Sequence, residues 1–307
     1  MNTTLASIEP AVIPGVLYVV ATPIGNLGDW SLRAREVLSA VDVIAAEDTR
    51  HSRPLLHHFG ITTPLLALHA HNEHERVGDL VQRLLAGESL ALISDAGTPL
   101  VSDPGYPLVR AALQAGVRVS PIPGASAAMA ALSVCGLPSD RFVFEGFLPA
   151  RASARRARLQ ALEPETRTLI FFEAPHRLLE CLRDMAQVMG GTREAALARE
   201  LTKTFETVRM APLDELAAWV EADKDQQRGE SVVLLRGREP EDVPECMGVR
   251  AESLLDSLLK HGVSVKSAAA ITEEILGGRK KAYYQYALDT QAAMKQGNEQ
   301  GDEKVHS

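Results

Sequence analysis

The chain has 307 residues, 46% hydrophobic and 23% charged, which fits a globular protein with a sizeable core and enough length for two domains. A formal net charge of −8 argues against indiscriminate nucleic-acid binding over the whole surface, while a local basic site stays open. Three cysteines (Cys135, Cys181 and Cys246) with no CxxC argue against a disulfide framework or a zinc site and suit a reducing compartment.

The opening residues, MNTTLASIEPAVIPG, carry neither a basic segment nor an apolar run, so no signal peptide is expected. No apolar stretch reaches bilayer length, and the expectation is a cytoplasmic protein without a membrane partner. VLYVVA (16–21), between Gly15 and Pro23, is a short β-branched run that predicts a buried strand. Strands are predicted next at 42–46, 64–68, 89–93 and 117–121. Helices fall between them at 31–40, 52–58, 72–85 and 107–115, several stopped by a glycine such as Gly60, Gly87 or Gly116. The small-residue helix PGASAAMAALSVCG opens a second series, with strands at 142–145, 168–172, 195–198 and 231–235 and helices at 153–162, 177–189 and 213–222. This alternation predicts two α/β domains, 15–123 and 124–237, with mostly parallel or mixed sheets. GREPEDVPECMGV (237–249) reads as an acidic, Pro-rich linker. Residues 250–290 predict a small C-terminal helical module, and 291–307 a polar, disordered tail.

Four loops at predicted carboxyl ends of strands share one character: TPIGNLGD (22–29), AEDTR (46–50), SDAGTPLVSDPG (94–105) and PIPGASA (121–127). Open α/β sheets bind ligands at that edge. Gly and Pro make tight turns and let backbone amides approach a ligand. Asp95 offers an acceptor for hydroxyl or amino groups, and Ser102 and Ser126 offer donors. One such loop alone is a turn; four polar loops at one edge point to a ligand cradle. No GxGxxG follows the first strand, and GxxxxGKS/T, HExxH and GxSxG are absent. A dinucleotide fingerprint, a P-loop, a zincin motif and a nucleophile elbow are therefore not supported. The expected ligand lacks a polyphosphate.

The motifs TPIGNLGD, IAAEDTR, HNEHER, LISDAGTPLVSDPG, PIPGASA, FEGFLP, FFEAPHR and ARELTKTFE, in order across about residues 15–290, resemble the bacterial 16S ribosomal RNA (cytidine) 2'-O-methyltransferases. These belong to the tetrapyrrole-methylase-like (class III) S-adenosylmethionine-dependent family. The resemblance implies two domains with S-adenosylmethionine in the cleft between them, a homodimer, and methylation of the ribose 2'-hydroxyl of a cytidine in the decoding region of the small ribosomal subunit. It further implies that Pro23, Asp95, Thr98, Ser102, Ser126 and Ala127 meet the cofactor, with Leu201, Gly229, Glu230 and Ser231 of the second domain lining the adenine side. Ser94 stands where many relatives carry glycine.

Methyl transfer from a sulfonium to a hydroxyl needs positioning above all, and a general base helps the weak nucleophile. Glu47 and Asp48, at the end of the second strand, are the catalytic candidates, with His71, Glu73 and Glu173 also near the cleft motifs. Asp48 equally suits helix capping, and Glu173 equally suits pairing with Arg177. HAHNEHER places His69, His71 and His74 beside Glu73 and Glu75, yet converging ligands are not indicated and no metal is expected. Arg50, Asn72, Arg76, His176, Arg177, Arg199 and Lys203 are candidates for RNA contact, together with Arg53 and the run Arg151, Arg155, Arg156 and Arg158, since phosphate contacts supply much of RNA affinity. A solvated helix face is the plain alternative for that run. Arg279, Lys280 and Lys281 beside Tyr283, Tyr284 and Tyr286 suit nucleotide stacking, although Tyr283 and Tyr286 suit a small helical core as well. A tetrapyrrole methyltransferase and a non-catalytic RNA-binding protein are the rival readings.

Overall fold

The computed structural model describes residues 12–238, 249–278 and 280–302, with side chains for 12–238, 251–278 and 280–292. The chain divides into two compact units, Met1–Arg238 and Glu239–Ser307. Cys246, Arg279, residues 239–248 of the expected linker and residues 303–307 of the expected tail lie outside the described residues.

The first sheet of the larger unit contains β1 (Val16–Val20), β2 (Val43–Ala46), β3 (Leu65–Ala67), β4 (Leu90–Ile93) and β5 (Arg118–Ile122). All pair in parallel, in the order β3-β2-β4-β1-β5. Crossovers are made by α1 (Leu32–Ala40), α2 (Thr49–His58), α3 (Glu73–Leu85) and α4 (Tyr106–Gln114). Alternate residues of β1 serve opposite faces. Val16, Tyr18 and Val20 join Val37, Leu38 and Leu56, whereas Leu17 joins Leu80, Leu84 and Leu108. Both faces are covered, which is why these strands are continuous apolar runs and not alternating ones. Helix α2 starts three residues before its predicted start because Asp48 caps it, accepting the Arg50 N–H at 2.8 Å.

The second sheet contains β6 (Phe142–Phe147), β7 (Thr168–Glu173), β8 (Glu194–Arg199), β9 (Thr207–Pro212) and β10 (Ser231–Leu235), in the order β6-β7-β10-β8-β9. Only the β6–β7 pair is parallel. One face packs on α6 (Ala152–Leu162), α7 (Leu178–Met189) and α8 (Leu213–Ala222). The other face takes α5 (Ala127–Val134) and Ile24 from the first loop of the chain. Strand β9 is absent from the predicted series. It is an edge strand with Val208, Arg209 and Met210 all exposed, so it lacks the buried alternation that marks a strand in sequence.

The smaller unit holds α9 (Val249–Lys260), α10 (Val265–Leu276) and α11 (Lys280–Asp302). Its core is its own: Leu255, Val265, Ala268, Ala269, Tyr283 and Ala287. Ser264 caps α10 by accepting the Ser267 N–H at 3.2 Å. Helix α11 runs past 291 to Asp302, where a disordered tail is expected. The segment Gln291, Ala292, Ala293, Met294 and Lys295 consists of strong helix formers, and that propensity outweighs its polarity. Among the described residues no helix is long and apolar enough to cross a membrane.

Candidate active site

The carboxyl ends of β1, β2, β4 and β5 carry the four loops, three of them rich in Gly and Pro, and these are stitched to one another. Thr22 and Gly97 exchange backbone hydrogen bonds (2.9 and 3.1 Å), and Thr98 Oγ1 donates to the Ala125 carbonyl at 2.9 Å. Asp95 Oδ1 accepts the Asp48 N–H at 3.1 Å. The far end of the 94–105 loop is fastened by Glu73, itself only 8% exposed, whose Oε2 accepts the Gly105 N–H at 3.0 Å. Gly105 has φ 118, and a Cβ there would meet Leu92 at 2.6 Å, so only glycine fits this turn.

Against these loops lies a cavity of about 390 Å³, within the range of small-molecule sites. Ile24, Glu47, Asp95, Thr98, Ser102, Asp103, Ser126 and Ala127 line it from the side of the first sheet. Phe147, Phe172, Glu173, Ala198, Leu201, Glu230, Ser231 and Val232 line it from the second. The non-glycine residues with left-handed backbone among those described are Leu100 and Ser102 (φ 72 each), Glu200 (φ 51) and Thr202 (φ 65). All sit in the two segments that bound this cavity, 94–105 and 199–206. Each such residue costs on the order of 1–3 kcal/mol and persists where the surroundings enforce it, often at functional sites.

The cavity is acidic. Glu47, Asp95, Asp103, Glu173 and Glu230 line it with no Lys, Arg or His. Burial, reinforced by the charges of Asp103 and Asp95, raises the Glu47 carboxyl above the usual glutamate range, and burial likewise raises Asp103. Asp48 is the opposite case. Hydrogen bonds from the Arg50 side chain and backbone hold it well below the usual aspartate range. Ser231 Oγ is buried and lacks a hydrogen-bond partner.

Of the residues expected at a cofactor, Asp95, Thr98, Ser102, Ser126, Ala127, Leu201, Glu230 and Ser231 line the cavity. Pro23 and Gly229 do not, although each adjoins a residue that does. Gly229 serves by having no side chain, since a Cβ would meet Glu200 Cδ at 2.4 Å. Glu47 faces the cavity and Asp48 does not.

The cations expected at a substrate divide sharply. Arg199, 7% exposed, donates to Gln226 Oε1 (3.1 Å) and to the carbonyls of Arg228 (3.1 Å) and Phe205 (3.0 Å), and so braces the end of β8. Arg177 pairs with buried Glu173 at 3.2 Å and donates to the Leu148 carbonyl. Lys203 bridges Glu200 (2.9 Å) and Glu230 (3.2 Å). Asn72 accepts the His69 N–H and donates to the Ala67 carbonyl, closing the turn before α3. Arg50, Arg53, Arg76 and His176 are exposed. The arginine run is also mostly engaged, with Arg155 and Arg156 on Asp184 and Arg158 on Glu145. Among the described residues no group of three His, Cys, Asp or Glu converges on a metal position.

Asp103, Phe147, Phe172 and Glu173 line the cavity without having been expected at a cofactor. Asp103 lies inside the 94–105 loop itself, and Phe147 and Phe172 lie inside FEGFLP and FFEAPHR, so the signal was present without a rank.

Residues 16–217 match the model of the Tetrapyrrole (Corrin/Porphyrin) Methylases. The chain belongs to the tetrapyrrole methylase family. Residues 248–291 match a second model, described as the RsmI C-terminal HTH domain. The methylase is similar to the Ribosomal RNA small subunit methyltransferase I of Pseudomonas aeruginosa, 60% identical over 277 residues, covering 90% of this chain and 98% of the relative. The protein of the same name from Escherichia coli O157:H7 is 53% identical over 280 residues, covering 90% and 96%. Among solved structures, the uroporphyrin-III-C-methyltransferase of Thermus thermophilus aligns with TM-score 0.52 at 20% identity, covering 72% of this chain and 94% of that one. A diphthine synthase aligns with TM-score 0.53 at 18% identity, covering 72% and 89%. These structural likenesses concern the fold alone, and they agree with the two-sheet α/β architecture.

Proposed function

We propose that this methyltransferase transfers a methyl group from S-adenosylmethionine to the ribose 2'-hydroxyl of a cytidine in the decoding region of 16S ribosomal RNA in the small ribosomal subunit. The observation that carries the reading is the charge of the cavity: Glu47, Asp95 and Asp103 line it with no basic side chain in the lining, while Glu173 and Glu230 are paired with Arg177 and Lys203, and the unpaired carboxylates suit a cationic sulfonium. The match of residues 248–291 to an RsmI C-terminal HTH domain weighs against a tetrapyrrole precursor as acceptor. The names of the relatives support a small-subunit RNA as acceptor.

The residues fit the cofactor. Ile24, Phe172, Ala198, Leu201 and Val232 offer apolar surface for an adenine ring, and the orphaned Ser231 hydroxyl offers a hydrogen bond. Asp95, Thr98, Ser102, Ser126 and Ala127 would hold it from one side and Leu201 and Glu230 from the other, with Pro23 and Gly229 shaping the loops. When bound, S-adenosylmethionine supplies an electrophilic methyl group. Glu47 accepts the proton of the 2'-hydroxyl; Asp48, hydrogen-bonded to Arg50, keeps α2 in place. Arg50, Arg53, Arg76 and His176 remain exposed for phosphate contacts. The reading extends to action in the cytoplasm and to a homodimer, for which exposed Met129, Val134, Val208 and Met210 offer apolar surface.

The test is transfer of labelled methyl to small subunits lacking the modification, followed by mapping of the product. A ribose methyl blocks alkaline cleavage at that nucleotide; a methyl found on the base, with cleavage intact, overturns the proposal. Asp95→Ala should weaken S-adenosylmethionine binding by about tenfold or more, the effect of losing a charged hydrogen-bonding group, with the melting midpoint nearly unchanged. Equal affinity in calorimetry moves the cofactor elsewhere.

The smaller unit serves RNA affinity in this reading. Tyr283 is core, its hydroxyl donating to the Gly277 carbonyl at 2.8 Å, and Tyr286 packs against the same core. Lys280, Lys281 and Tyr284 stay exposed on α11. A chain ending at Arg238 should fold on the cores of its own two sheets, keep cofactor affinity and lose subunit affinity. Replacing Lys280 and Lys281 should flatten the salt dependence of subunit binding by roughly one log–log unit for each phosphate that the two lysines neutralise. Unchanged affinity and slope would assign α11 a bracing role.

A further inference from the structure

We infer that Phe147 is the platform on which the base of the acceptor nucleotide stacks; this rests on the RNA reading above and names the residue that meets the base. Along β6, Phe144 pairs with Ile170, Gly146 with Phe171 and Phe147 with Phe172, so one residue is inserted between Phe144 and Gly146. In an unbroken strand Phe147 would share the parity of Val143, which packs on the α6–α8 core. The bulge moves it to the face of Phe144 and Phe172, the face that borders the cavity. Gly146 makes the bulge feasible: it has φ 65, and a Cβ there would press on Ser102 Oγ at 3.1 Å. The cradle loop and the bulge are therefore built against each other, with Phe147 at the joint.

The ring is not consumed by packing. Phe147 meets Phe172 edge to face, with centroids 5.6 Å apart and planes at 66°, and still exposes 56% of its surface. A large apolar side chain at a cavity rim loses nothing if it meets a ligand there and is otherwise wasted. The buried members of the lining, Ala198, Leu201 and Val232, suit the enclosed part of a ligand. The exposed ring suits a group that arrives from outside on a large RNA. A methyl acceptor on ribose carries its base one bond from the sugar ring, so a 2'-hydroxyl brought to the cavity brings its base to the rim. Unstacked bases are commonly held on aromatic side chains in this way, and any base has a π-face. Phe147 thus orients the nucleotide without selecting its identity.

Full-length Phe147→Leu and Phe147→Trp test this. Cofactor affinity is measured by calorimetry, kcat and KM on unmodified small subunits by labelled methyl transfer, and melting midpoints in parallel. Phe147→Leu should lose kcat/KM by about ten- to a hundredfold, the range of one stacked base, mostly through KM, with cofactor Kd within about twofold of the parent. Phe147→Trp should recover most of the loss, which a purely structural role would not. Phe147→Leu transferring as well as the parent overturns the inference, as does an equal loss of cofactor affinity, which would make the ring an adenine contact. A Trp variant no better than Leu overturns it too. Failure of the parent enzyme to methylate subunits removes instead the RNA reading and this inference with it.

Discussion

Glu47→Gln is expected to lose methyl transfer by about 10²- to 10⁴-fold, the range of general-base catalysis, while binding S-adenosylmethionine nearly as the parent does. Glutamine keeps the shape and the hydrogen bonding but cannot take the proton of a 2'-hydroxyl. The pH profile gives an independent readout. A base works ionised, and Glu47 is raised above the usual glutamate range by burial and by the charges of Asp103 and Asp95. Activity should therefore fall as pH drops through a range above that of an ordinary glutamate, and hold above it. Asp103→Asn removes one of the charges that raise Glu47, so the acid limb should move to lower pH. Asp48→Asn should disturb little of this, because that carboxylate caps α2 and pairs with Arg50. An Asp48→Asn variant as damaged as Glu47→Gln, or an acid limb unmoved by Asp103→Asn, would take the base role from Glu47.

The parts of this architecture that were legible are those set by local periodicity. Strands buried on both faces, such as β1 and β4, announce themselves as apolar runs. The loops that follow them announce themselves by Gly and Pro, whose backbone freedom and rigidity are intrinsic. What stayed hidden depends on residues far apart in the chain. Arg199 reads as a free cation until Gln226 and the Arg228 carbonyl come to it. Lys203 reads the same way until Glu230 closes on it. Asp103 was passed over beside Asp95, because the left-handed turns at Leu100 and Ser102 that shape its loop leave no mark in composition. Phe147 was missed for a smaller reason: a single inserted residue changes the face of a strand, and no composition signals it.

The arginine run on α6 gives the sharpest contrast between charge in sequence and charge in structure. Four arginines within 151–158 read as a phosphate-binding face. Arg155, however, is only 2% exposed, and its Nε lies 2.6 Å from Asp184 Oδ2 on α7. Arg156 meets the other oxygen of Asp184 at 3.2 Å. Removing one partner of a buried pair costs about 3–5 kcal/mol, and the exposed Glu180, 3.8 Å from Arg155, offsets only part of that. Asp184→Ala should therefore lower the melting midpoint by on the order of 10 °C in a unit of this size. Arg158→Ala breaks a half-exposed pair with Glu145 and should cost about 1 kcal/mol or less. Arg151→Ala, at an exposed position, should stay within about 0.5 kcal/mol. Replacing Arg155 and Asp184 together by Met and Leu should restore much of the stability, since a buried pair exchanged for apolar residues of similar volume is often neutral. Urea denaturation of the four variants reads these differences directly. An Asp184→Ala protein as stable as the parent, with Arg155→Met weakened only in subunit binding, would return the run to the RNA-facing surface.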